Sequence, residues 1–294
     1  VELMVDFDLI RNKDLKWNLG FNATYYKNKI LRLPEQNREK GIINGTKRYV
    51  EGGGIYDFWL NKFEGVDQMT GRALYKPDFE KYYIGDPVEG KTQLPSQYVV
   101  TIGDKQYTTF VTYGAKDWSG SAIPDLFGSF NTSLKYKNFD LSMLFTYSLG
   151  GKTLDYTYRS LMMVTANPGA LHTDLLNAWD GVPAGVTETS ANRIKPGGVP
   201  VINYELSTYS DALSDRFLKD ASYLVIKNLS LSYNFPKRLI SKLDISSLSL
   251  NASVDNLATF TKLKGMDPQQ SFTGINDNGF VTARVISISL NVKL

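Results

Sequence analysis

Cysteine is absent from the 294 residues, and histidine occurs once, at His172. Without thiols there is no disulfide scaffold and no cysteine nucleophile, and a single imidazole gives triads and His-based metal sites almost no foothold. Long hydrophobic runs are also missing. Mean hydropathy is −0.25, and no stretch approaches the roughly 18 apolar residues that a membrane helix needs, which excludes a helical membrane protein. The formal charge of +3 is small for this length and no basic run occurs, so nucleic acid is not an expected partner. The glycine clusters Gly52-Gly53-Gly54, Gly150-Gly151 and Gly197-Gly198 do not follow a strand and open a helix in a phosphate-binding pattern. No leader peptide opens the chain: Val1 starts directly in strand-like sequence. The expectation is a processed chain, a fragment, or the ordered part of something larger.

What the chain has in abundance is alternation. Ile286, Ile288, Leu290, Val292 and Leu294 alternate with Ser287, Ser289, Asn291 and Lys293, as in a strand with one apolar and one polar face. Val1–Ile10 repeats the pattern with Leu3, Val5, Phe7 and Leu9, and Leu15–Tyr26 with Trp17, Leu19, Phe21, Ala23 and Tyr25. Further alternating runs lead from Phe130 to Tyr136, from Phe139 to Tyr147, from Tyr223 to Phe235 and from Ser246 to Asn256. Short polar links join these in pairs through residues 11–14, 137–138 and 236–238, each predicting a hairpin. Within Tyr223–Phe235 the phase changes. Leu224 and Ile226 share one parity, and Leu229, Leu231, Tyr233 and Phe235 the other, so a bulge is expected near Lys227-Asn228.

The other connections are long: Lys27–Phe127, Leu149–Ser222 and Leu257–Phe280, all rich in Gly, Pro, Asn, Asp and Tyr. Short turns at one end of the strands and long loops at the other are the asymmetry of an outer-membrane β-barrel, with the short turns periplasmic. About ten tilted residues per strand also match the hydrocarbon thickness. The count comes to about seven strands, with Leu294 on the periplasmic side and Val1 at the extracellular end. Seven strands cannot close a barrel, so the remaining wall is expected in other sequence or another chain.

Four stretches carry a family resemblance. Asp215–Leu239 (DRFLKDASYLVIKNLSLSYNFPKRL) and Asp255–Gln269 (DNLATFTKLKGMDPQ), with Asn138–Gly151 and Gly54–Tyr75 before them in the right order, resemble the C-terminal part of SusC-like TonB-dependent outer-membrane transporters. The resemblance covers nearly the whole chain. It implies an all-β, antiparallel transmembrane barrel of about 22 strands, of which residues 1–294 are the C-terminal portion and about the last seven strands. The plug and N-terminal strands would lie outside this chain. It further implies import of a glycan or peptide, energy coupling through the TonB complex, and a SusD-like surface lipoprotein as lid. The implied location is the bacterial outer membrane. Where the family commonly ends in an aromatic residue, this chain has Leu294.

Neither catalysis, a cofactor nor a metal site is expected. His172, Asp174 and Asp180 read as polar loop or helix-cap residues. Asp267-Pro268 and Asn276-Asp277-Asn278-Gly279 lack the regular ligand spacing of a calcium loop and read as turns. The loop aromatics are the candidate substrate contacts: Tyr156, Tyr158, Trp179, Tyr204 and Tyr209 in the second connection, with Tyr56, Trp59, Tyr82 and Tyr83 in the first. Their flat faces and polar rims suit sugars or peptide backbones. Trp17, Tyr25, Tyr136, Tyr147, Tyr233 and Phe235 lie near strand ends, where an interfacial aromatic belt is expected. A soluble or surface β-sandwich that binds carbohydrate shares the alternation, but it would bury the apolar parity between two sheets. An adhesin or simple porin is a third reading.

Overall fold

A computed structural model describes residues 1–294 apart from 168, 211, 242–244, 270–271 and 277–278. Seven long strands form one antiparallel sheet in chain order: β1 (Glu2–Arg11), β2 (Leu15–Thr24), β3 (Leu126–Tyr136), β4 (Phe139–Leu149), β5 (Tyr223–Asn234), β6 (Ser247–Thr261) and β7 (Val285–Lys293). Each strand pairs only with its sequence neighbours, as in an up-and-down barrel wall. The first hairpin turn is Asn12–Asp14, where the Asn12 side-chain oxygen accepts the Asp14 and Leu15 amides. The second is Lys137-Asn138, with Lys137 at φ 53°.

Register decides which side chains share a face. One rung crosses all seven strands as Ile10, Trp17, Leu134, Leu141, Leu231, Ala252 and Ile288, every member apolar. The neighbouring rung of opposite parity is Asp8, Asn18, Ser133, Ser142, Ser230, Ser253 and Ser287, every member polar. On the polar face Asn22 donates to the Ser129 hydroxyl at 2.6 Å, and Asn251 to those of Ser230 and Ser232 at 2.9 and 2.7 Å. Lys135 and Asp140 pair at 3.3 Å beside the short turns.

The apolar face has no second sheet over it among the described residues. Ile288 is 75% exposed, and Phe21, Phe139, Leu231 and Leu250 are exposed with it. In water such a face would be strongly unfavourable, and a sandwich would have covered it. Polar groups on this side are satisfied locally: the Trp17 indole N–H donates to the Thr132 hydroxyl at 2.9 Å. Tyr147 stacks on Phe21 with ring centroids 6.1 Å apart, and its hydroxyl donates to the Asn22 carbonyl at 3.0 Å. The ring passes over Gly128, where an added Cβ would stand 2.1 Å from that carbonyl, so only glycine fits. At the short-turn end Phe139, Tyr233 and Phe235 form an aromatic chain with spacings of 4.8 and 5.0 Å, as a girdle requires.

The bulge falls where the phase change puts it. Ile226 faces Phe145 and Leu229 faces Met143, with Lys227 skipped between them, so both apolar sets reach the same face. Opposite it in β6, Asn256 takes the left-handed conformation with φ 52°, which a short polar side chain tolerates. Other boundaries differ from the sequence reading. A second irregularity between Asp8 and Ile10 places Ile10, rather than Leu9, opposite Trp17. The third short link contains a helical turn, Lys237–Ile240, before β6. β6 itself runs on to Thr261 because Tyr223, Leu224, Val225 and Ile226 offer it paired backbone from Ala258 as far as Thr261.

The two faces make opposite demands on adjacent residues. Ile288→Arg should destabilise the assembled barrel by about 2–4 kcal/mol, whereas Ser289→Arg, beside Asn251, should be far milder. Heat-modifiable migration or a denaturation midpoint in detergent checks this. Equal tolerance of both arginines would contradict the assigned faces.

Candidate functional site

The long connections are not the irregular loops their composition suggests. Each carries short strands, and all three converge at one rim of the wall. In the first, Ile42–Asn44, Lys47–Tyr49, Asp57–Asn61 and Lys116–Ser121 form a four-stranded sheet. Its buried face sends Phe58 and Leu60 into a core shared with Ala122 and with Leu154, Met162, Leu175 and Phe217 of the second connection. A second sheet joins the same two connections, pairing Ile194–Lys195 with Phe63–Asp67. The third connection enters through Ile275-Asn276, parallel to Leu154-Asp155. There Gly274, at φ 73°, lies so close that a Cβ would stand 2.4 Å from the Ala122 side chain and 3.0 Å from the Phe58 ring.

Ionic and polar contacts lock the connections further. Asp67, fully buried, receives Arg193 in a forked pair at 2.8 and 3.2 Å, together with the Thr70 hydroxyl at 2.9 Å. Burial alone would push this carboxyl up; the Arg193 guanidinium, the Met69 amide and the Thr70 hydroxyl outweigh it and hold the group below the usual carboxylate range. Lys62 and Asp215 pair at 2.6 Å. Lys47 is buried under the sheet, its ammonium 3.0 Å from the Phe58 ring centre and donating to the Tyr56 carbonyl at 2.8 Å. Desolvation pushes it down to about 7, with the Asp57 carboxylate opposing.

The five candidate aromatics do not meet in one place. Tyr156 packs against the shared core. Tyr158 lines a cavity of about 380 Å3 between the second and third connections, together with Asp155, His172, Asp174, Lys219 and Lys262. Its hydroxyl donates to Asp174 at 2.8 Å and its ring stands edge-on to His172 at 4.8 Å. Burial first, then the Asp174 hydrogen bond, pushes this phenol up to about 12. His172 Nδ1 accepts the Asp174 amide at 3.0 Å, so the imidazole caps a turn. The phenol is thus held protonated and the imidazole nitrogen is taken up by a turn cap.

The Trp179 indole donates to the Gln68 carbonyl at 2.9 Å and covers Gly71, where a Cβ would stand 2.4 Å from the ring. Tyr204 is 55% exposed at the start of a short helix, Tyr204–Ser210. Tyr209 joins an aromatic cluster of the first connection, 4.3 Å from Phe110, which continues through Tyr113 to Tyr82. Trp118 was missed by sequence reasoning: it pairs with Trp59 across strands, ring centres 4.9 Å apart, on the open side of the four-stranded sheet. Both strands are too short for alternation to reveal the pair. Among the described residues Asp180 makes no ion pair or side-chain hydrogen bond, and Asp277 and Asn278 lie outside the described residues. Among the described residues no group of three or more His, Cys, Asp or Glu is close enough to hold a metal ion.

No protein-family model matches the chain. Curated relatives do match. "TonB-dependent receptor P3" of Formosa agariphila is 27% identical over 99% of this chain and 28% of its own length. "TonB-dependent receptor SusC" of Bacteroides thetaiotaomicron is 23% identical over 100% of this chain and 26% of its own length. The chain therefore spans just over a quarter of these relatives. Among solved structures, the RagAB peptide transporter superposes with a TM-score of 0.75 at 20% identity, over 100% of this chain and 29% of that one. RagAB in its closed-closed state gives 0.71 at 21% identity. The homologues are thus TonB-dependent receptors including SusC, and the seven-stranded sheet is part of an outer-membrane β-barrel. Its place is the bacterial outer membrane, and its relatives are receptors and transporters rather than enzymes.

Two predictions test how the connections are held. Arg193→Met strands the Asp67 carboxylate and should cost about 3–5 kcal/mol locally, read as rapid proteolysis of the connections in a barrel that still assembles; wild-type resistance would remove the pair from the account. Lys47 sets a pH dependence. Its folded value of about 7 lies below the ordinary 10.5, so the unfolded chain binds more protons between these values, and protease resistance should rise with pH across that window and level off below it. Lys47→Met should flatten the profile, and an unchanged slope would assign it elsewhere.

Proposed function

We propose that this chain forms the C-terminal part of the barrel wall and three external connections of a TonB-dependent nutrient importer, closed from outside by a SusD-like lipoprotein. The observation that carries the reading is the pairing of a wholly apolar rung with a wholly polar one across seven strands, capped at one rim by fused connections. The apolar face meets membrane lipid. The polar face, with Asp6, Asp8, Asn18 and Asp140, looks onto lumen or plug. The chain makes and breaks no bonds; it walls a wet path and builds a vestibule above it.

The rest of the barrel, the plug and the contact with the TonB complex belong to sequence outside these residues. Uptake then follows a plug rearrangement driven from the periplasm. The cargo is an oligosaccharide or a peptide, and its contacts are the vestibule aromatics, with Tyr158 in its cavity and Tyr204 on the surface as foremost candidates and Tyr156, Trp179 and Tyr209 behind them as supports. The SusC and RagAB relatives support the lid partner.

The test uses the full receptor in its own cells. A strain lacking the receptor should lose uptake of one class of oligosaccharide or peptide and regain it from the wild-type gene. Tyr158→Ala combined with Tyr204→Ala should assemble normally yet restore uptake at least about tenfold less well, in line with the loss of stacking and hydrogen-bonding contacts. Undiminished uptake of all such nutrients by the deletion strain would contradict the importer reading. Full rescue by the double variant would remove these two tyrosines from the path.

A further inference from the structure

The four-stranded sheet of the first connection has faces of opposite character. One carries Phe58 and Leu60 into the core. The other is fixed by the pairing of Trp118 with Trp59, Lys116 with Asn61 and Ile43 with Arg48, and looks into a groove of about 940 Å3. Trp59 lines the groove, and Trp118 stands beside it on the same face, ring centres 4.9 Å apart and 40% exposed, so one of the largest apolar side chains in the molecule contributes little to the core. The Arg48 guanidinium lies 4.4 Å from the Trp59 ring and is steadied by hydrogen bonds of 3.2 and 2.9 Å to the Lys40 carbonyl.

Lys76, Phe79 and Lys91 also line the groove. Lys40, Lys76 and Lys116 have no ion pair among the described residues. Of the groove's carboxylates, Asp78 is buried and committed to Lys81 at 2.7 Å, leaving Glu80 and Asp117. Uncommitted cations therefore outnumber uncommitted carboxylates around the Trp59 indole, with Trp118 packed against it.

We propose that this groove binds a negatively charged oligosaccharide, its sugar rings against Trp118 and Trp59 and its carboxylate or sulfate groups met by Arg48, Lys76 and Lys116. The apolar face of a pyranose suits an indole, and anionic substituents need cations not already neutralised. A neutral glycan would crowd the lysines without pairing them. An acidic peptide would pair them but offer the indoles few flat rings. This inference rests on the importer reading and narrows its cargo.

The test titrates the full receptor, purified in detergent, with tetragalacturonate, a sulfated oligosaccharide, neutral maltotetraose and tetraglutamate, following tryptophan fluorescence and calorimetric heat. At least one anionic glycan should bind, more weakly as salt rises, and at least about tenfold more tightly than maltotetraose. The carboxylated and sulfated probes tell which anion is recognised. Trp118→Ala, and separately Lys76→Gln with Lys116→Gln, should each lose about tenfold or more in affinity while migrating as folded barrels. The proposal is overturned if neither anionic glycan binds, if both variants bind like wild type, or if tetraglutamate binds as well as the glycans. It is equally overturned if Trp118 responds only to the SusD-like lipoprotein, which would make the face a lid contact. Uptake that still requires the receptor under any of these outcomes leaves the importer reading standing and removes only the groove.

Discussion

Inside hydrocarbon a backbone amide has no water to turn to, so a spanning sheet survives only with its ladder intact from strand to strand. Everything else in this chain is arranged around that constraint. Seven strands pair in chain order without a crossover, and where one residue too many appears, at Lys227, the ladder bends around it and resumes. The resumption keeps Leu224 and Ile226 on the same side as Leu229 and Leu231. Without the bulge, half of β5 would turn its apolar side chains toward water and its serines toward lipid.

The rim obeys the opposite rule. The connections stand in water, so they hold together as a soluble domain does, with a buried cluster around Phe58, Leu154, Met162 and Phe217 and a buried ion pair between residues 126 positions apart. No single connection supplies the core. The first gives the sheet, the second most of the apolar contacts, and the third a strand that fits only because Gly274 lacks a side chain. A change in one connection is therefore felt in the others. Excising 167–200, for example, would remove both Trp179 and Arg193 and leave Gly71 uncovered and Asp67 unpaired.

The wall was legible in the sequence because alternation at period two acts over nine to fifteen residues and is written by one physical demand, lipid on one side and water on the other. Even the bulge showed as a phase change. The rim was far less legible. Strands of three residues, such as Ala73–Tyr75, are held by distant partners and carry no period of their own. The same limit governs the site. Tyr158 could be named as a loop aromatic, but its cavity depends on Lys219 and Lys262, which are remote in sequence. Trp179 looked equally available, and its hydrogen bond to the Gln68 carbonyl and its cover over Gly71 carry no local sequence signal. The Trp59–Trp118 pair follows from a register between residues 59 positions apart that no local pattern announces.

The central claim is that adjacent residues of the wall face different solvents. Because residues 1–294 contain no cysteine, single cysteines can be placed at 229, 230, 231, 232 and 233 of the full receptor in lipid vesicles. Spin labels at these positions can then be challenged with oxygen, which concentrates in lipid, and with a water-soluble nickel chelate. The account predicts strict alternation: oxygen dominates at 229, 231 and 233, and the chelate at 230 and 232 unless the plug shields them, in which case neither reagent reaches them. Uniform accessibility along the segment, or alternation in the opposite phase, would contradict it.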